Sequence, residues 1–123
     1  MELKRVVVTG LGAITPIGNS VPEFWENLVK GVSGAGPITH FDASKFKTQF
    51  ACEVKGFDAS KYMDRKEARK MDLYTQYAIK VAKEAVEDSG MDLATEDLNR
   101  IGVIFGAGIG GIHSFEEEAG HYA

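Results

Sequence analysis

Between residues 64 and 90 the apolar positions Met71, Tyr74, Ala78, Val81, Ala82 and Ala85 recur at spacings of three and four, which puts them on one helical face. Asp64 is a good N-cap, and Glu67 three residues later completes a capping box, so the spacing predicts one long helix from Asp64. Ser89-Gly90 supplies its stop, glycine being free to take the left-handed cap conformation. A shorter helix opens at Ser20-Val21-Pro22-Glu23, a second capping box with an early proline, and Gly31 ends it. Its predicted buried face is Phe24, Trp25, Leu28 and Val29. Two runs, Arg5-Val6-Val7-Val8-Thr9 and Ile101-Gly102-Val103-Ile104-Phe105, are apolar on both faces. That is the pattern of central strands covered on both sides in an α/β layered fold. Phe50-Ala51-Cys52-Glu53-Val54-Lys55 alternates with period two, as a half-exposed strand near a sheet edge does.

The rest is loop, turn and one more helix. Gly10, Gly12, Pro16 and Gly18 break the segment after the first run, and the stretch from Gly31 to Thr39 reads as loop. Thr95-Glu96-Asp97-Leu98 reads as a single turn, and Ile112 to Glu118 as helical. There is no internal repeat, low-complexity tract or linker, so the chain reads as one domain or a piece of one. His121-Tyr122-Ala123 carries no cap and no glycine–proline stop, which reads as a cut.

Composition adds little to this picture, and charge adds more. The 123 residues are 44% hydrophobic and 26% charged, ordinary for a globular protein with a core. A net charge of −4 argues against general nucleic-acid binding. No apolar run approaches the roughly 20 residues that span a bilayer, and one cysteine fits a reducing compartment, so a cytoplasmic location is the default. Within the long predicted helix the charges run against the dipole. Arg65, Lys66, Arg69 and Lys70 crowd its positive end, while Glu84, Glu87 and Asp88 sit at its negative end. Lys66, Arg69 and Lys70, at i, i+3 and i+4, share one surface. Such a surface suits an acidic partner; the alternative is a solvated face with Glu67 pairing Lys70.

Other candidate chemistry is sparse. Gly106-Ala107-Gly108-Ile109-Gly110-Gly111 matches G-x-G-x-x-G between a predicted strand and a predicted helix, the setting of a dinucleotide fingerprint. Glu116, Glu117 and Glu118 place negative charge in the first helical turns, against a pyrophosphate. The alternative is a glycine turn where backbone passes close to another surface or a ligand. Cys52 has no adjacent histidine and no helix N-terminus to activate it, and reads as a buried structural thiol. His40, His113 and His121 show no metal-ligand spacing and read as surface or loop residues, while Trp25 and the phenylalanines read as core. From the residues themselves come no metal site and no catalytic set.

Taken together, the motifs resemble the N-terminal part of the β-ketoacyl-acyl carrier protein synthases of the elongating type, nearest the synthase II form that takes longer acyl chains. The resemblance rests on Arg5 to Gly12 with Thr15-Pro16-Ile17-Gly18, on Phe41-Asp42, and on Asp64 to Asp72. Asp88-Ser89-Gly90 and Arg100-Ile101-Gly102-Val103 leading into Gly106 to Gly111 complete it. It implies the start of the first half of a thiolase-like α/β/α/β/α layered fold, residues 1–123 being the truncated N-terminal part of the first such domain. It implies an acyltransferase of fatty-acid elongation that needs no cofactor and works as a homodimer on acyl and malonyl thioesters of acyl carrier protein. In that family a cysteine nucleophile, two histidines and a lysine perform a decarboxylative Claisen condensation, and all four fall beyond residue 123. By position, Lys66, Arg69 and Lys70 match the basic residues that dock acyl carrier protein. Ile109 matches a residue of the acyl-pocket wall at the dimer interface, which makes the dinucleotide match a false positive. A catalytically silent carrier-protein partner, such as a polyketide chain-length factor, shares these motifs. The fragment alone is expected to be inactive, and unpaired central strands predict poor independent stability or association.

Overall fold

The computed structural model describes residues 3–122, so Ala123, part of the cut read at the end, lies outside the described residues. Gly12–Phe57 forms one compact unit; the chain up to Leu11 and from Asp58 forms another.

The Gly12–Phe57 unit opens with a tight turn in which Thr15 and Gly18 exchange both main-chain hydrogen bonds, at 2.8 and 3.2 Å, around Pro16-Ile17. Gly18 is required there, since a Cβ would lie 2.4 Å from the amide nitrogen of Phe24. Helix α1, Val21–Val29, follows as expected: the Ser20 hydroxyl accepts the Glu23 N–H at 3.3 Å. The Glu23 carboxylate reaches one residue further back than the capping box predicts, to the Asn19 N–H at 2.7 Å. The segment expected to be loop contains strand β1, Ala35–Pro37, antiparallel to β2, Phe50–Cys52, in the register Ala35–Cys52, Gly36–Ala51 and Pro37–Phe50.

Strand β2 has the phase opposite to its apolar pattern. Phe50 and Cys52 face outward, while Ala51 and Glu53 are half-buried. The reason is Thr39, whose N–H and hydroxyl both bind the Glu53 carboxylate, at 3.0 and 2.7 Å, and draw that side inward. Cys52 is therefore an exposed thiol, against the expectation of a buried one.

In the second unit the single long helix resolves into two. Helix α2 is one turn, Arg65–Ala68, and helix α3 is Leu73–Ser89. Asp72 leaves helical geometry (φ −58°, ψ 154°) and becomes the N-cap residue of α3. The Gln76 amide closes the corner by donating to the carbonyls of Ala68 and Met71, at 2.9 and 3.0 Å, the former also accepting the Met71 N–H at 3.2 Å. The predicted stop is confirmed, with Gly90 at φ 66°. The turn expected at Thr95–Leu98 is a 3₁₀ turn at Leu98–Arg100, and helix α4 runs Ile112–Tyr122.

Neither Val6–Val8 nor Ile101–Phe105 forms a strand among the described residues. A strand needs a neighbour for its main-chain groups, and neither run has one within this stretch. Both stay exposed, Val6 at 89% and Ile104 at 99%. Trp25, Leu28, Val29, Phe41, Phe46, Phe50 and Phe115 are exposed as well, so the aromatic residues are not the core they were expected to form. Ala43 is the buried apolar residue among those described. The apolar faces have the right periodicity and lack the layer that would cover them.

Candidate functional site

The basic residues lie on the corner between α2 and α3. Asp64 caps α2 by accepting the Lys66 N–H at 2.7 Å, and Arg69 is its C-cap residue. Lys66, Arg69 and Lys70 are all exposed. Lys70 leans on Glu67 at 3.4 Å, whereas Lys66 and Arg69 make no ion pair among the described residues. Arg69 borders two grooves. One, of about 440 Å³, is lined by Asp58, Arg65 and Gln76; the other, of about 620 Å³, brings Arg69 and Lys70 opposite Glu117 and Glu118 of α4. The Asp58 carboxyl is held below its usual range by hydrogen bonds from the Ser60 hydroxyl and N–H.

This geometry corrects the reading of the charges. The basic residues are not at the positive end of a long helix, because α3 begins only at Leu73. Arg65 and Lys66 lie in a one-turn helix, Arg69 is its C-cap residue and Lys70 follows it, so a single turn replaces the long dipole. Asp88 does sit at the negative end of α3, and there its carboxylate accepts the Leu11 N–H at 2.8 Å. The charge pattern thus has a structural account without a partner.

The glycine-rich segment meets the start of α3. Gly110 takes a left-handed φ of 75°, and a Cβ there would touch the Tyr74 ring at 3.5 Å. At Gly111 a Cβ would collide with the Asp72 carboxylate, 2.0 Å away. Ser114, in the first turn of α4, donates its hydroxyl hydrogen bond to that carboxylate. A Cβ at Gly106 or Gly108 would meet nothing within 4 Å, so the close approach expected of the glycine turn holds only at its far end. Ile109, between the open and the packed halves, is 80% exposed.

The objection to a dinucleotide also changes residue. Glu116, Glu117 and Glu118 fall in the second turn of α4, not at its start. The negative group beside the N-terminus of α4 is Asp72, from a different helix. A carboxylate there repels a pyrophosphate more directly than the glutamates would.

Sequence reasoning missed Lys80. It is 3% exposed, on the side of α3 opposite the predicted apolar stripe, of which Tyr74 and Ala82 are exposed instead, and its ammonium lies 2.5 Å from the Glu84 carboxylate. The signal was present as a Lys–Glu pair four residues apart, which reads equally well as surface decoration. His40 and His113 are exposed and lie beside Glu53 and Glu117, at 3.9 and 3.6 Å. Among the described residues no three His, Cys, Asp or Glu side chains are grouped as metal ligands, and no helix is long and apolar enough to cross a membrane.

Comparison with known proteins gives these positions their setting. The family model for "Beta-ketoacyl synthase, N-terminal domain" matches residues 3–122. The chain is 49% identical over all 123 residues to 3-oxoacyl-[acyl-carrier-protein] synthase 2 of Vibrio harveyi, covering 29% of that protein. It is 47% identical over 118 residues to the synthase 2 of Synechocystis, covering 96% of this chain and 28% of the relative. It thus spans under a third of the length of these relatives. Among solved structures, the ishigamide ketosynthase/chain length factor superposes with a TM-score of 0.64 at 40% identity, over 70% of this chain and 21% of that one. A type II PKS acyl-carrier protein in complex with its ketosynthase gives 0.59 at 31% identity, over 76% and 24%. The fold class is therefore the α/β, thiolase-like one expected from the sequence, and its short antiparallel pair and helices are part of that larger architecture. With its motifs, its fold and nearly its full length matched, the chain belongs to the β-ketoacyl synthase N-terminal domain family.

Proposed function

We propose that these residues are the N-terminal part of a 3-oxoacyl-[acyl-carrier-protein] synthase of fatty-acid elongation, the first part of its first thiolase-like domain. The observation that carries the reading is the identity of about half of all positions, from one end of the chain to the other, to synthases of that name. In the reaction, an acyl group passes from its carrier thioester to a cysteine thiol of the enzyme, releasing the carrier thiol. Malonyl-carrier protein then loses CO₂, the resulting carbanion attacks the acyl-cysteine carbonyl, a carbon–carbon bond forms and the cysteine thiolate leaves. The cysteine, two histidines and lysine that do this fall outside these 123 residues, so the chain supplies recognition and a pocket wall. Cys52, on β2 with no histidine partner, is not that nucleophile.

Lys66, Arg69 and Lys70 form the docking surface for the acidic acyl carrier protein. Their exposure, and the absence of ion-pair partners for Lys66 and Arg69 among the described residues, support this. A relative of known structure is a ketosynthase in complex with its acyl-carrier protein. Ile109 forms part of the acyl-pocket wall; an apolar side chain between glycines suits a wall that yields to an alkyl tail. The whole enzyme works as a cytoplasmic homodimer, and the exposed apolar runs are surfaces that it covers. A second reading, a non-catalytic partner such as a polyketide chain-length factor, is favoured by the likeness to the ishigamide ketosynthase/chain length factor.

The deciding experiment supplies the full-length protein, alone, with acyl- and malonyl-carrier protein. Formation of β-ketoacyl-carrier protein with release of CO₂ supports the synthase. Carrier binding without condensation supports the silent partner.

A further inference from the structure

We infer that Asp72 is a positioning residue for the loop that carries Ile109: its carboxylate clasps Gly111 and Ser114 and sets where the pocket wall stands. The inference rests on the proposed function only for the role of Ile109. As the N-cap residue of α3, Asp72 would ordinarily accept a first-turn N–H with its side chain, yet only its main-chain carbonyl does so, from Thr75 and Gln76. The carboxylate instead accepts from the Ser114 hydroxyl, 42 residues away. Gly111 admits it because no Cβ stands in the way, and any other residue would have to displace it. Two residues after Asp72, the Tyr74 ring lies against Gly110.

All three contacts fall at one end of the loop. A Cβ at Gly106 or Gly108 would meet open space, so the close packing is confined to the Gly110–Gly111 end, after Ile109. Ile109 stands at the boundary, able to swing about a pivot that Asp72 holds. Asp72 is also two residues beyond Lys70, so the pivot and the basic corner share one stretch of backbone.

The test is made in the full-length protein with Asp72→Ala, Asp72→Asn and Ser114→Ala. Asp72→Ala and Ser114→Ala remove the clasp; they are expected to shift the long-chain to short-chain ratio of kcat/KM by about three- to tenfold, the scale of one lost hydrogen bond of ordinary net strength. Asp72→Asn keeps an acceptor oxygen and is expected to restore most of the ratio. Amide exchange at Ile112 and Phe115, which donate to Gly110 and Gly111, is expected to quicken at least threefold in Asp72→Ala. If Asp72→Ala fails to fold, Ser114→Ala decides. An unchanged ratio together with unchanged exchange overturns the inference, as does an equal loss for all chain lengths that Asp72→Asn does not repair. Should the wild-type protein catalyse no condensation, the proposed function fails, and the exchange measurement still decides whether Asp72 holds the loop.

Discussion

The carboxylate of Asp88 accepts the main-chain N–H of Leu11 across 77 residues of sequence, at 2.8 Å. Beside it, Gly10 lies so close to α3 that a Cβ would stand 2.1 Å from the Ala85 carbonyl oxygen. These two contacts bind the start of the chain to the last turns of α3. Gly10→Ala should therefore destabilise the full-length protein by about 1–3 kcal/mol, the range for forcing a methyl into a filled site. Asp88→Ala should cost less, about 0.5–1.5 kcal/mol, because the freed N–H is exposed to water. Denaturant midpoints of the two variants check the order; a Gly10→Ala protein as stable as wild type would mean that the approach is not kept in solution.

Lys66→Glu combined with Arg69→Glu should weaken carrier-protein binding by more than tenfold, about 1.4 kcal/mol or more, at low ionic strength. The wild-type affinity should fall as salt rises, because both partners present exposed charge. Titration calorimetry at two salt concentrations reads both effects. An undiminished affinity in the double variant would return the cluster to an ordinary solvated corner.

Ile109→Phe should depress the use of long acyl chains more than short ones, because a larger rigid side chain shortens the space behind it. Competition between a short and a long acyl-carrier substrate measures the ratio. Equal losses for both would point to a disturbed backbone at the glycines.

Glu53 gives a prediction in acid. Its carboxyl is held below the ordinary 4.5, first by the Thr39 hydroxyl and then by the Thr39 N–H. A depressed folded-state value means that the clasp contributes above the unfolded value and is lost as pH falls through the folded one. The Thr39 amide resonance should therefore hold steady at neutral pH and shift only below about pH 4.5. Thr39→Val should move the Glu53 titration up toward 4.5. An unmoved titration in that variant would remove the clasp from the account.

Local signals in the sequence are legible where one residue and its near neighbours decide the outcome. Ser20 and Gly90 begin and end their helices as predicted, since caps depend on one side chain or one dihedral angle. Asp72 is visible too, as an aspartate before an apolar run, but the periodicity on both sides conceals it. Strands are not legible in this way. The Val6–Val8 pattern calls for covered faces and paired edges, which come from other parts of a chain and not from the run itself. The phase of β2 is set by a polar clasp with Thr39, 14 residues away, which no alternation pattern records. At the site, the resemblance singles out Lys66, Arg69, Lys70 and Ile109, whereas Asp72 and Ser114 are brought together only in three dimensions.

The interruption at Asp72 has a practical consequence for protein engineering. Because α3 starts afresh after it and carries its own contacts, the turn from Asp64 to Met71 is a separable cassette. Exchanging those eight positions between relatives would transplant the proposed carrier-docking surface while leaving the scaffold helix, its Gln76 brace and its Asp88 tether in place.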